Sequence, residues 1–239
     1  MKLDVRMSGL GGQGMVTAAN LLGMAAVNDG NYGIVIPFFG AEKRLAPTES
    51  YVRIASHKVY EKGEVGYPDV IMVFHPEVIT KGKCYTMPFY QGLRPNGWLI
   101  INAESPLLTE EDARSVAELN ARVLYVPASQ IALDVAGTEL ATNMALLGGL
   151  LAATSVVTLD GLEKAIAQRF GGEKFIASAT TAALDDILKK KYAKTQELLE
   201  KNMAAIRATY DLVKTTCAES TGVQQGQHSR RGKCTTQRA

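Results

Sequence analysis

From Lys2 to Ser8 the chain alternates apolar and polar side chains, a period of two that predicts a strand. A glycine run follows, and from Met15 to Val27 apolar residues recur at helical spacing, so the start reads as strand, tight loop and helix. Val, Ile, Phe and Tyr then concentrate in Gly33 to Phe38, Ser50 to Ser56, Asp69 to Phe74, Trp98 to Asn102 and Arg122 to Val126, each a predicted strand. Helical stretches lie between some of these. Thr109 to Asn120 is one, with Thr109 as N-cap and Asp112 in a variant capping box, and Ser129 to Val135 is another. Alternation of this kind predicts an α/β domain of three layers, Rossmann-like, with a mostly parallel sheet covered by helices.

Beyond about residue 140 the pattern becomes helical. Thr142 to Thr154 is small and apolar nearly all round, Leu159 to Phe170 is amphipathic, and Ala182 to Lys214 carries apolar residues such as Leu188, Leu199, Met203 and Ile206 at helical intervals. From Ala218 onward the chain is polar and basic, with Arg230, Arg231, Lys233 and Arg238 and no strand signal. The expected division is a main domain over 1–190, a C-terminal helical arm over 191–217 and a tail over 218–239.

A chain of 239 residues, 46% hydrophobic and 21% charged, can bury one substantial core. A formal net charge of +2 is too balanced for the dense basic face that nucleic acid requires. Membrane insertion is not expected, because no run approaches the ~18 apolar residues that span a bilayer. Met1 to Arg6 leads straight into a strand without a signal-like stretch, so a cytoplasmic location is expected. Cys84, Cys217 and Cys234 match neither C-x-x-C nor an iron–sulfur ligand run, so the chain is expected to hold no metal or cluster itself.

The candidate chemistry lies in Gly9-Leu10-Gly11-Gly12-Gln13-Gly14, which fits G-x-G-x-x-G between a strand and a helix. Glycines permit a tight turn and close backbone approach, and amides from about Gly12 to Val16 would face a bound anion. Dinucleotide binding also calls for an acid at the end of the second strand, where this chain has Ile34-Val35-Ile36-Pro37-Phe38-Phe39. Asp29 falls earlier, in an Asn28-Asp29-Gly30-Asn31 turn. His57 and His75 have no triad or metal partners at suitable spacing, although His75-Pro76 ends a strand where α/β sheets place ligands. Asn143 opens an apolar helix and reads as a structural hydrogen-bonder or interface residue. Arg53 reads either as facing a partner or as solvating one face of the sheet, the solvated face being favoured.

Three stretches together resemble the gamma subunit of 2-oxoacid:ferredoxin oxidoreductases, the group acting on pyruvate, 2-oxoisovalerate, 2-oxoglutarate and indolepyruvate. They are the glycine loop as G-x-G-G-Q-G, with Gly12 and Gln13 distinguishing; Gly40-Ala41-Glu42-Lys43-Arg44 followed by Val52-Arg53-Ile54; and Asn143-Met144-Ala145-Leu146-Leu147-Gly148-Gly149. The resemblance covers roughly residues 3 to 190 and departs at Leu45 and Ala46, where the family has a glycine pair. It implies a subunit of a complex that oxidatively decarboxylates a 2-oxoacid. Thiamine diphosphate, magnesium and [4Fe-4S] clusters would sit on alpha, beta and delta companions, with ferredoxin or an NAD-reducing subunit as acceptor. This chain would have no catalytic residue of its own and would contact coenzyme A through Gly9, Gly11, Gly12, Gln13, Gly14, Glu42 and Arg44. Without the resemblance, the loop also admits a free-standing NAD(P)-binding Rossmann oxidoreductase, in which Lys43 and Arg44 would serve a 2′-phosphate, or a scaffold without ligand.

Overall fold

The computed structural model describes residues 1–39, 45–170, 182–222 and 236–238. Its frame is a seven-stranded sheet of β1 (Lys2–Leu10), β2 (Tyr32–Phe39), β3 (Pro47–Ala55), β4 (Val70–Val73), β5 (Trp98–Asn102), β6 (Arg122–Val126) and β7 (Thr236–Arg238). The spatial order is β2-β3-β1-β4-β5-β6-β7. Strands β1, β4, β5 and β6 are parallel neighbours. β3 runs antiparallel to both β1 and β2, so β2 points the same way as β1.

Alternation assigns the two faces. Val5, Met7, Met72, Ile100 and Leu124 belong to the larger core, while their neighbours Ile71, Val73, Leu99, Ile101 and Val123 belong to a second, smaller one. The larger core is filled by α1 (Met15–Asn28), α4 (Ala128–Ala136), α5 (Thr142–Thr154), α6 (Leu159–Phe170) and α7 (Ala182–Gly222). The smaller holds α3 (Glu110–Glu118) and the irregular stretch around α2 (Glu77–Thr80). Thr109 caps α3 as the sequence predicts, its Oγ1 accepting from the Asp112 amide at 3.1 Å. α5 is apolar all round because it is buried all round, from Asn143 to Ala152.

Over β1 and β3 the second face is polar yet buried. Asp4, Arg6, Ser8, Glu49, Tyr51 and Arg53 are all buried. Arg53, expected to solvate a face, instead donates to the carbonyls of Gly63 (2.7 Å) and Glu64 (2.8 Å). Arg6 donates to the Phe89 carbonyl at 2.8 Å, and Glu49 accepts from the Thr86 amide at 3.1 Å. Irregular chain covering a sheet brings carbonyls and amides that need partners, and these charged side chains supply them.

α7 is one helix across the boundary expected at residue 190, and Met203, Ala205, Ile206 and Val213 lie in the larger core. The tail, read without strand signal, supplies the three residues of β7 antiparallel to β6. Pairing with an open sheet edge uses backbone groups and needs no side-chain pattern. Among the described residues, no helix is long and apolar enough to cross a membrane.

Where α5 meets α7, a Cβ on Gly148 would strike the carbonyl of Ile206. Gly148→Ala should therefore destabilise the protein by about 1–3 kcal/mol, despite alanine's higher helix propensity. A denaturant midpoint equal to or above that of the parent protein would refute this packing.

Candidate functional site

A cavity of about 590 Å³ opens at the carboxyl ends of the parallel strands, between β1 and β4. From β1 the chain turns through α1 toward β2, whereas β4 leads the other way to β5, so the cavity lies at the topological switch point where open α/β sheets bind ligands. Its walls are Gly12 to Gly14, Phe74 to Pro76 after β4, residues 102–105 after β5, the start of α4, and the turn from Glu139 into α5.

The glycine loop divides its tasks. Gly9 is the close approach of β1 to Phe74, whose Cβ would lie 3.0 Å from an added methyl. Gly11 extends the β1–β3 ladder, donating to the Ala46 carbonyl at 2.9 Å and accepting from Leu45 at 3.3 Å. Gln13 folds back so that its Oε1 accepts from the Leu10 amide at 3.3 Å. Gly12 is exposed at φ +94° with nothing within 4 Å of where a side chain would begin. Gly14 caps α1 in the left-handed conformation, φ +72°, without a side-chain cap. The first helical bond runs from Ala18 to the Gly14 carbonyl, so the amides of Met15 to Thr17 have no partner within the helix. The same carbonyl accepts from Asn143 Nδ2 at 2.9 Å.

The opposite wall is polar, with acids but no lysine or arginine among the described residues. Asn102 donates to the Phe74 carbonyl and to Ser129 Oγ, both at 3.0 Å, and its Oδ1 accepts from the Ser129 amide at 3.3 Å. Thr142 Oγ1 donates to the Glu139 carbonyl at 2.7 Å. Burial, helped by Lys83 and Lys81, holds the His75 imidazole below its ordinary pKa against the pull of Glu77. Its Nδ1 accepts from the Glu77 amide at 3.1 Å and is therefore the unprotonated nitrogen. Glu104 and Glu139 are the acids of the lining, and no lysine or arginine stands among the described residues there. Anion affinity on this side must come from backbone amides and helix starts.

Of the residues expected to bind a cofactor, Gly12, Gln13 and Gly14 line the cavity, while Gly9 and Gly11 shape the turn behind them. Glu42 and Arg44 lie outside the described residues. His75 also joins the lining, as the end-of-strand position suggested. The clamp of Asn102 on Ser129 was not read from the sequence, because a strand-end asparagine looks alike whether it meets solvent or a neighbouring helix. Asp29 belongs to its turn but also accepts from the Thr158 amide and hydroxyl, both at 2.6 Å, fastening the start of α6. The insertion of β3 moves the end of β2 one strand, about 4.8 Å, farther from the glycine loop than in a plain dinucleotide fold. That weakens the NAD(P) alternative beyond the missing acid.

Comparison with known proteins identifies the chain's relatives. The model of the pyruvate ferredoxin/flavodoxin oxidoreductase family matches residues 4–184. The chain is 36% identical over 171 residues to the pyruvate/ketoisovalerate oxidoreductases common subunit gamma of Thermococcus litoralis, covering 72% of this chain and 88% of that one. It is 32% identical over 171 residues to the pyruvate synthase subunit PorC of Methanothermobacter marburgensis, with the same coverage of 72% and 88%. A solved pyruvate oxidoreductase subunit from Thermotoga maritima superposes with a TM-score of 0.63 at 25% identity, over 88% of this chain and 96% of that one.

Leu45 departs from the glycine pair that the resemblance calls for, yet it holds φ +56° with its side chain 61% exposed. Leucine in that region is strained by about 1–2 kcal/mol, partly offset by glycine's greater freedom when unfolded. Leu45→Gly should therefore raise the unfolding free energy of the purified protein by about 0.5–1 kcal/mol. A loss of stability in urea titration would show that the leucine side chain makes contacts outweighing its backbone strain.

Proposed function

The chain belongs to the pyruvate ferredoxin/flavodoxin oxidoreductase family, and from that premise we propose that it serves as the gamma-type subunit of a thiamine diphosphate-dependent 2-oxoacid oxidoreductase complex, contributing assembly and a coenzyme A site rather than the redox chemistry. Its relatives are gamma and PorC subunits of pyruvate and ketoisovalerate oxidoreductases. On this reading the complex works in the cytoplasm and oxidatively decarboxylates a 2-oxoacid. Thiamine diphosphate, magnesium and [4Fe-4S] clusters reside on alpha, beta and delta-type companions, and ferredoxin or an NAD-reducing subunit takes the electrons.

The observation that carries the coenzyme A assignment is Gly12. Its backbone is exposed, left-handed and open where any other residue would project a Cβ, at the mouth of the switch-point cavity. A cradle of this kind suits a diphosphate approaching the backbone closely, with Gly12, Gln13, Gly14 and the first amides of α1 as its holders. Coenzyme A, when bound, supplies the thiol that accepts the acyl group. This chain's residues bind and orient its anionic part. The cavity's carboxylates and lack of described basic residues favour completion of the site by cations from a companion chain. Exposed apolar side chains, Leu140 at 84%, Tyr60 at 75% and Met87 at 62%, give the surface contacts for such companions.

Calorimetric titration of the assembled complex with coenzyme A tests the assignment directly. Gly12→Leu should weaken binding tenfold or more, about 1.4 kcal/mol, while the complex stays assembled. Equal affinity for the two proteins would remove coenzyme A from this loop.

A further inference from the structure

Asn143 is 4% exposed and lies 129 residues along the chain from the glycine loop, yet its amide group serves both. Nδ2 donates to the Gly14 carbonyl at 2.9 Å, and Oδ1 accepts from the Met144 amide at 3.0 Å, at the start of its own helix. Gly14 provides no side-chain cap for α1, and its carbonyl is the acceptor that closes the first turn of the helix. A Cβ on Gly14 would collide with the Asn143 amide, so the two residues are matched in shape as well as in hydrogen bonding. Asn143 is firmly anchored on its far side. α5 is buried along its length, and Gly148 places it directly against the backbone of α7.

The cavity walls formed by Gly12 to Gly14 and by Glu139 to Thr142 therefore meet at one side-chain amide. We infer that Asn143 is the positioning residue of the ligand loop: it transmits the fixed placement of α5 to Gly14 and so aims the first amides of α1 into the cavity. This rests on the reading of that loop as the coenzyme A site. Asn143 does not line the cavity and acts through Gly14. Small displacements of a positioned group are costly, because a misplacement of ~1 Å can cost on the order of a hundredfold.

The test uses the assembled complex carrying Asn143→Ser, which retains a short oxygen acceptor for Met144 but cannot reach the Gly14 carbonyl. Asn143→Asp, nearly the same shape but without the donor, is the second variant. Hydrogen exchange should accelerate about tenfold or more at the amides of Leu10, Gly11 and Ala18, with the core of α5 unchanged. The dissociation constant and KM for coenzyme A should rise about tenfold, while kcat at saturating coenzyme A and KM for the 2-oxoacid stay within about twofold. Asn143→Gln, which keeps both functions on a longer stem, should recover part of the affinity. Unchanged exchange at residues 10–18 in a folded Ser or Asp variant overturns the positioning role. Uniform acceleration across α5 and α7, or variants that do not fold, overturns it in favour of a core structural role. Local acceleration with unaltered coenzyme A affinity leaves the tie standing and overturns the reading of the loop as the coenzyme A site.

Discussion

A turn made of glycines has little to hold it in one shape, and here the shape comes from backbone groups satisfied from three separate directions. Leu10 is held by Gln13 within the loop, Gly11 by the approach to β3, and Gly14 by Asn143 from α5. Each partner takes up a donor or acceptor of a turn that is half-buried apart from the exposed Gly12. What remains without a partner inside the helix is the set of amides at the start of α1, beside the cavity. One edge of the loop's hydrogen-bonding capacity is left unused by the fold while the rest is locked.

The placement of β3 is the second constraint on ligand choice. By returning antiparallel between β1 and β2, it brings Leu45 and Ala46 against Gly11 and displaces the end of β2. A nicotinamide cofactor would find no acid in the expected place. The glycine loop instead has a second chain segment behind it, and Leu45 accepts an unfavourable backbone angle to make that contact. Strain of this kind persists only when surrounding bonds impose it.

The second sheet face shows how irregular structure can cover a core. Where α3 packs, the strands present Ile71, Leu99, Ile101 and Val123. Where loops cover β1 and β3, the same face presents Asp4, Arg6, Glu49, Tyr51 and Arg53, because loop backbone must be bonded as well as packed. Burial and the hydrogen bond to Glu49 raise the Tyr51 hydroxyl pKa, keeping it neutral and donating. The cost is a row of desolvated charges, offset in part by these specific contacts, while Asp4 Oδ1 and Arg6 Nε are buried without a hydrogen-bond partner among the described residues.

Local pattern determined the elements themselves. Alternation and helical spacing marked β5, β6, α5 and α6 at their observed bounds, Thr109 announced the start of α3, and the glycine run marked the turn that builds one wall of the site. These signals are local, since period and capping act over a few residues. Neighbour relations were settled by tertiary structure alone. Periodicity gives the face of a strand but not its partner, so the insertion of β3 was hidden, as was the burial of Arg53 under loops that only the fold brings there. The tail's contribution of β7 was equally out of reach, because an edge selects backbone rather than sequence. Asn143 could be recognised as a polar residue in an apolar helix, but its partner, Gly14, became visible only when α5 and α1 were placed side by side. Hydrogen bonds between distant segments leave no period in a sequence, and they are what turns a common glycine motif into this particular site.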